Sequence, residues 1–222
     1  LSKITAIKKY PCIFIANEFF DALPVKQYVK KNDFWLEKFI NFENTKKAFF
    51  FEKKINIKEI EKKINFKLSH NQNFIEYSKY GFYYLKEISK IIKENSGGLL
   101  LIDYGYTDKK MKNTLQAVHN HKFANILSNI GNVDISHELS FDLIKRFIKK
   151  IGGLKNNLTT QKDFLIKMGI RQRAEMISKN QSFLKKADTY YRLKRLIDDK
   201  QMGNLFKVML IKNKKNNFKL GF

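Results

Sequence analysis

Short apolar runs alternate with longer helical stripes along this chain. Ile13, Phe14 and Ile15 have the length and β-branched content of a buried strand. The run stops at the polar pair Asn17-Glu18, and Asp21 follows three residues later. Residues 25–29 and 34–40 are strand-like and flank Lys30-Lys31-Asn32-Asp33, a pattern that predicts a hairpin with a polar turn and Trp35 as its packing anchor. Residues 49–52 predict a further strand, and Ile57–Ile64 has helical spacing within a region rich in Lys and Asn. Tyr84, Leu85, Ile88, Ile91 and Ile92 form a stripe that predicts a helix over 80–94, ended by Gly97-Gly98. Residues 99–102 are almost purely apolar, as in a parallel strand covered on both faces, and Asp103-Tyr104-Gly105 reads as the turn that closes it. Residues 113–121 and 134–136 read as polar loops. Helices are predicted at 139–151, 161–168, 172–178 and 182–197, and strands at Leu154–Thr160 and 205–211. Residues 212–222 are rich in Lys and Asn and are expected to fray.

Helix, glycine turn and buried strand in succession form the repeating unit of a doubly wound α/β fold. The expected architecture is a mostly parallel sheet with helices on both faces and a hairpin-containing insertion over 25–73. In such sheets ligands lie beyond the carboxyl ends of the strands. That rule makes Asn17, Glu18 and Asp21 candidates, with Asp103 at the next such edge. Spacing alone favours the simpler reading, in which Asn17, Glu18 and Asp21 cap a following helical turn.

Composition narrows the class. With 222 residues, 43% hydrophobic content and 20 Phe, the chain can bury a core, and one domain is the default. The formal charge of +23 suggests a polyanionic partner. Only Arg146, Arg171, Arg173, Arg192 and Arg195 are arginines, however, and the lysines are spread over the whole length. Solvated lysines plus A/T-rich codon usage explain that charge better than a nucleic-acid site, which favours planar arginine forks. A single Cys, Cys12, makes no internal disulfide and no metal cluster with four scattered His, and it fits a reducing compartment. No apolar run approaches the roughly twenty residues of a membrane span. No P-loop, HExxH or nucleophile-elbow pattern occurs.

The stretch IANEFFDALPV at 15–25 resembles the signature of the MidA-like family, class I S-adenosylmethionine-dependent methyltransferases that include a mitochondrial complex I assembly factor. Five further pieces resemble the same family in the same order. They are GGLLLIDYGY (97–106), NTLQAVHNH (113–121), GNVDIS (131–136), QKDFLIKMGI (161–170) and MGNLFKVMLI (202–211). The resemblance implies methylation of arginine on a protein subunit of respiratory complex I. It also implies a cofactor-binding glycine loop ahead of the first strand, yet no glycine precedes Gly81. The chain is therefore expected to be the C-terminal portion of the fold, inactive alone. Glu138 and Ser140 stand where the family has His and Asp.

Methyl transfer from a sulfonium relies on positioning, and an arginine acceptor needs carboxylates that pair with guanidinium and take a proton. Glu18, Asp21 and Asp103 are the expected catalytic acids, and Asn17 and Glu18 the expected cofactor contacts. Tyr104, Gln116, His121 and Asp134 are the expected substrate contacts. The partners implied are S-adenosylmethionine and a protein substrate, without a metal, and a homodimer is compatible. The expected compartment is a bacterial cytoplasm, or the mitochondrial matrix for a eukaryotic source. Two other classes compete: a non-catalytic assembly protein that has lost its cofactor loop, and, with less support, a basic nucleic-acid-binding module.

Overall fold

The computed structural model describes residues 10–44, 47–120, 122–127 and 131–222. In chain order the elements begin with β1 (Cys12–Asn17), β2 (Lys26–Lys31), β3 (Phe34–Asn44) and β4 (Lys47–Ile55). Helix α1 (Ile57–Ile64), β5 (Phe74–Tyr77), α2 (Lys79–Asn95) and β6 (Gly97–Tyr106) follow. Four short strands, β7 (Gln116–His119), β8 (Lys122–Ala124), β9 (Asp134–Ser136) and β10 (Leu139–Ser140), lead into α3 (Phe141–Ile151) and β11 (Leu154–Thr160). The chain finishes with α4 (Gln161–Lys167), α5 (Ile170–Ser178), α6 (Phe183–Ile197), α7 (Met202–Leu205) and β12 (Phe206–Asn213).

Where one domain was expected, these elements cluster into two compact units. The first holds residues 1–19, 86–106 and 151–222, and the second holds 20–85 and 107–150. The first unit is built on the strand order β1-β6-β12-β11. Strands β1 and β6 pair in parallel, and β12 runs antiparallel to both β6 and β11. Along this path three of the four strands share one direction, and the expected mostly parallel pairing is corrected to one parallel and two antiparallel ladders. The reason lies in the reversed last strand, whose register sets Leu210 opposite Leu100 and Leu158 opposite Met209.

Local chemistry sets the joints. Ser96 (φ +70°) and Gly97 (φ +97°) end α2 in left-handed conformations. A Cβ on Gly97 would sit 2.0 Å from the Cys12 carbonyl oxygen, so glycine is required where β6 meets β1. The Asn56 side chain caps α1 at Lys58 N (3.1 Å), Thr160 caps α4 at Asp163 N (3.1 Å), and Gly169 stops α4 at φ +81°. Strand β6 runs past Asp103 to Tyr106, so the turn expected at 103–105 is strand instead. The loops expected at 113–121 and 134–136 contain β7 and β9, which pair with each other. Their apolar residues, Ala117, Val118 and Ile135, are too few to show an alternating pattern. Beyond β12, in the segment expected to fray, the ring of Phe222 lies 5.4 Å from that of Phe164.

The second unit contains the sheet β4-β3-β2-β5 and the small sheet β8-β7-β9. Its core is aromatic. Phe82 stacks on Phe147 with ring centroids 4.0 Å apart, and Phe66 meets both edge-on at 5.5 and 5.4 Å. Burial raises the phenols of Tyr28 and Tyr77, whose rings stack at 6.1 Å, above their ordinary pKa.

Candidate functional site

In the first unit, four of the residues singled out by sequence meet at the end of β1. The parallel ladder ends with Asn17 level with Ile102, and the next N–H, that of Glu18, still donates to the Ile102 carbonyl at 3.0 Å. Glu18 adopts φ +45°, a left-handed conformation unusual for a side chain without local hydrogen-bonding habits. The kink ends the strand and leaves both Asn17 and Glu18 exposed. On β6, Asp103 is fully enclosed and one carboxylate oxygen accepts from the Tyr104 N–H at 3.0 Å. Asp103 is therefore a buried strand residue, on the face it shares with Leu99 and Leu101, rather than an acid at an open edge. The Tyr104 ring packs 5.6 Å from Phe206.

The second unit holds Asp21, Gln116 and Asp134. Asp21 is buried, and its carbonyl accepts the His137 N–H at 3.1 Å. Gln116 Nε2 lies 3.4 Å from the Ser136 hydroxyl, and Asp134 is exposed opposite Val118. His121 lies outside the described residues.

Beside Asp21 the sequence reading missed a polar cluster. Glu76 is buried and accepts from Gln27 Nε2 at 2.5 Å, from the Thr114 N–H at 3.3 Å and from the Thr114 hydroxyl. His137 is also buried, with Nδ1 3.2 Å from the Glu138 carbonyl oxygen. A carbonyl only accepts, so Nδ1 carries a proton. The ring's Nε2 has no hydrogen-bond partner among the described residues. His137, Glu76, Ser140, Phe20 and Tyr77 line a cavity of about 40 Å³, room enough for a water or a single small polar group. The available signal was Glu76, a lone charge inside the apolar run FIEY. Ser140 accepts from the Leu143 N–H at 3.3 Å and so caps α3, a task an aspartate at that position also performs. Among the described residues no group of His, Cys, Asp and Glu is placed to hold a metal, and no helix is long and apolar enough to cross a membrane.

Residues 1–159 match the family described as "Putative S-adenosyl-L-methionine-dependent methyltransferase". A mitochondrial protein arginine methyltransferase NDUFAF7 homolog from Caenorhabditis elegans is 27% identical over 72% of this chain and 38% of its own length. The mitochondrial protein arginine methyltransferase NDUFAF7 of Danio rerio is 23% identical over 90% of this chain and 47% of its own. The chain thus spans less than half the length of these curated relatives. A Burkholderia thailandensis crystal structure bound to S-adenosyl-homocysteine superposes with a TM-score of 0.77 at 20% identity, covering 99% of this chain and 58% of that one. The cofactor of the matched family is S-adenosylmethionine. A sheet edge that presents Asn17 and a strained Glu18 at the end of a parallel strand, in a chain matched over most of its length, places this protein in the S-adenosyl-L-methionine-dependent methyltransferase family.

Proposed function

We propose that this chain carries the acceptor side of a protein arginine methyltransferase that acts on a subunit of respiratory complex I and supports its assembly. The observation that carries the reading is the left-handed Glu18, held by its own N–H on Ile102 and turned out to solvent at the end of β1. The arginine specificity rests on the names of the relatives, and the complex I target on the family resemblance. The proposed compartment is a bacterial cytoplasm, or the mitochondrial matrix for a eukaryotic source.

An exposed amide and carboxylate fit the cationic, amine-bearing end of S-adenosylmethionine, which supplies an electrophilic methyl group when bound. Asn17 and Glu18 are the residues assigned to hold it. Glu18 also orients the acceptor guanidinium and, with Asp21 three residues on in the chain, takes up the proton released from the product. Asp103 acts at one remove, by fixing the Tyr104 backbone. Tyr104 walls the acceptor, and Gln116, Asp134 and His121 read the substrate polypeptide. Residues 10–80 contain no glycine, so nothing among them forms the tight loop that cradles a cofactor's carboxylate. We assign that loop to a segment outside these 222 residues.

Calorimetric titration of S-adenosylmethionine tests the assignment. The isolated chain is expected to bind it with a Kd weaker than about 1 mM, and the complete gene product to bind it tightly. Micromolar binding by the isolated chain would overturn the split cofactor site. Retention of wild-type methyl transfer to protein by the complete product carrying Glu18→Gln and Asp21→Asn would overturn the carboxylate roles.

A further inference from the structure

Strand β3 is 11 residues long, but β2 pairs only with its first four, from Phe34 to Glu37. From Lys38 onward β3 pairs with β4 alone, so residues 38–44 and 47–52 form a two-stranded ribbon that extends beyond the four-stranded sheet. Such ribbons are marginal in water because neither face is covered. This one is apolar on both faces. Ile40 lies opposite Phe50 and Phe42 opposite Ala48 on one face, while Phe39 stacks on Phe51 at 5.3 Å on the other, near Phe49. Ile40, Phe42, Phe49, Phe50 and Phe51 are left 40 to 53% exposed. In addition, β4 is the edge of its sheet, and its outer backbone groups meet no strand among the described residues. A long, apolar, unprotected edge is a template for another strand.

We propose that this ribbon is a self-association arm. In the proposed dimer, β4 pairs antiparallel with β4 of a second copy about a two-fold axis at Phe51, making one continuous eight-stranded sheet. The register follows from the sequence KAFFFEKKI. Centring on Phe51 sets Phe50 opposite Glu52, Phe49 opposite Lys53 and Ala48 opposite Lys54 of the other copy, with no like charges facing. Centring on Phe50 would oppose Lys47 to Lys53, and centring on Glu52 would oppose the two glutamates. Phe49, Phe50 and Phe51, the exposed apolar side chains of β4 itself, present on the order of 250 Å² per copy, given about 200 Å² for a Phe. Two copies therefore bring on the order of 500 Å² of apolar side chain to the seam, which with the paired backbone and lysine stems is a weak, concentration-dependent interface below the roughly 1,200 Å² of a small stable one. An isologous contact of this kind closes at two copies.

Salt dependence separates this partner from others. Two copies of a chain with formal charge +23 repel one another, so raising salt from about 0.05 to 0.5 M should tighten the dimer several-fold. Binding of an anionic polymer or lipid to the same arm would weaken instead.

The test is sedimentation equilibrium of the 222-residue chain across that salt range, with two cysteine variants made in a Cys12→Ser background. A dimer that tightens with salt is expected, together with loss of the dimer in Phe51→Lys, which sets two like charges opposite one another at the axis, at unchanged circular dichroism. On mild oxidation Phe51→Cys should give a disulfide-linked dimer. Ala48→Cys should not, since its two copies stand about 20 Å apart, six residue steps along the ladder. A monomer at every salt concentration overturns the proposal, as does a dimer indifferent to Phe51→Lys or one that cross-links equally at both positions.

Discussion

Two residues hold conformations or charges that the chain would shed if stability alone were selected. Glu18 in the left-handed region costs on the order of 1 kcal/mol that a glycine would not. The strain sits at the point where a carboxylate must leave the sheet, and the sequence showed only half of this. It showed a polar stop after an apolar run, but backbone sign is invisible in a pattern of apolar and polar letters. Lys212 is the second case. Its side chain is 1% exposed, and its Nζ has no hydrogen-bond partner among the described residues. Burial, aided by the nearby charges of Lys155 and Lys219, lowers its pKa from the ordinary 10.5. A depressed amine binds fewer protons folded than unfolded, so the linkage opposes folding below the folded pKa and fades as pH rises to 10.5. Lys212→Met should therefore melt higher than wild type at pH 7, with the gap closing toward pH 10.5; thermal melts across that range check it.

Elements with a full helical stripe were legible. The helix expected at 80–94 is α2 within a residue at each end, and Ile57–Ile64 is α1 as spaced. Short strands β7 and β9 were not, because three or four residues carry no period, and β6 outran its expected end because Asp103 is tolerated inside it. The aromatic cluster was illegible for another reason. Phe66, Phe82 and Phe147 come from distant stretches, and nothing local marks them as partners. Phe82 touches both others and is 8% exposed. Its replacement in Phe82→Ala should cost about 3–5 kcal/mol, read as a lower denaturant midpoint at unchanged slope.

At the scale of the molecule, the candidate site was legible at the sheet edge, through Asn17 and Glu18, and illegible in the cluster of Glu76, Thr114 and His137, whose members lie far apart in the chain. The two compact units were likewise hidden, since each is assembled from separated stretches. In the first unit the last strand, β12, lies between two strands that precede it, β6 and β11. A chain ending at residue 205 should leave the β11 amides, whose only ladder is with β12, without protection in hydrogen-exchange measurements. The same topology sets a schedule for birth on the ribosome. Strand β11 is translated roughly fifty residues before the strand that will hold it, so the growing polypeptide must wait, with an apolar slot open beside Leu99 and Leu101, until β12 has been read. Nascent chains of this protein should therefore depend on chaperone cover in the interval between the synthesis of β11 and that of β12.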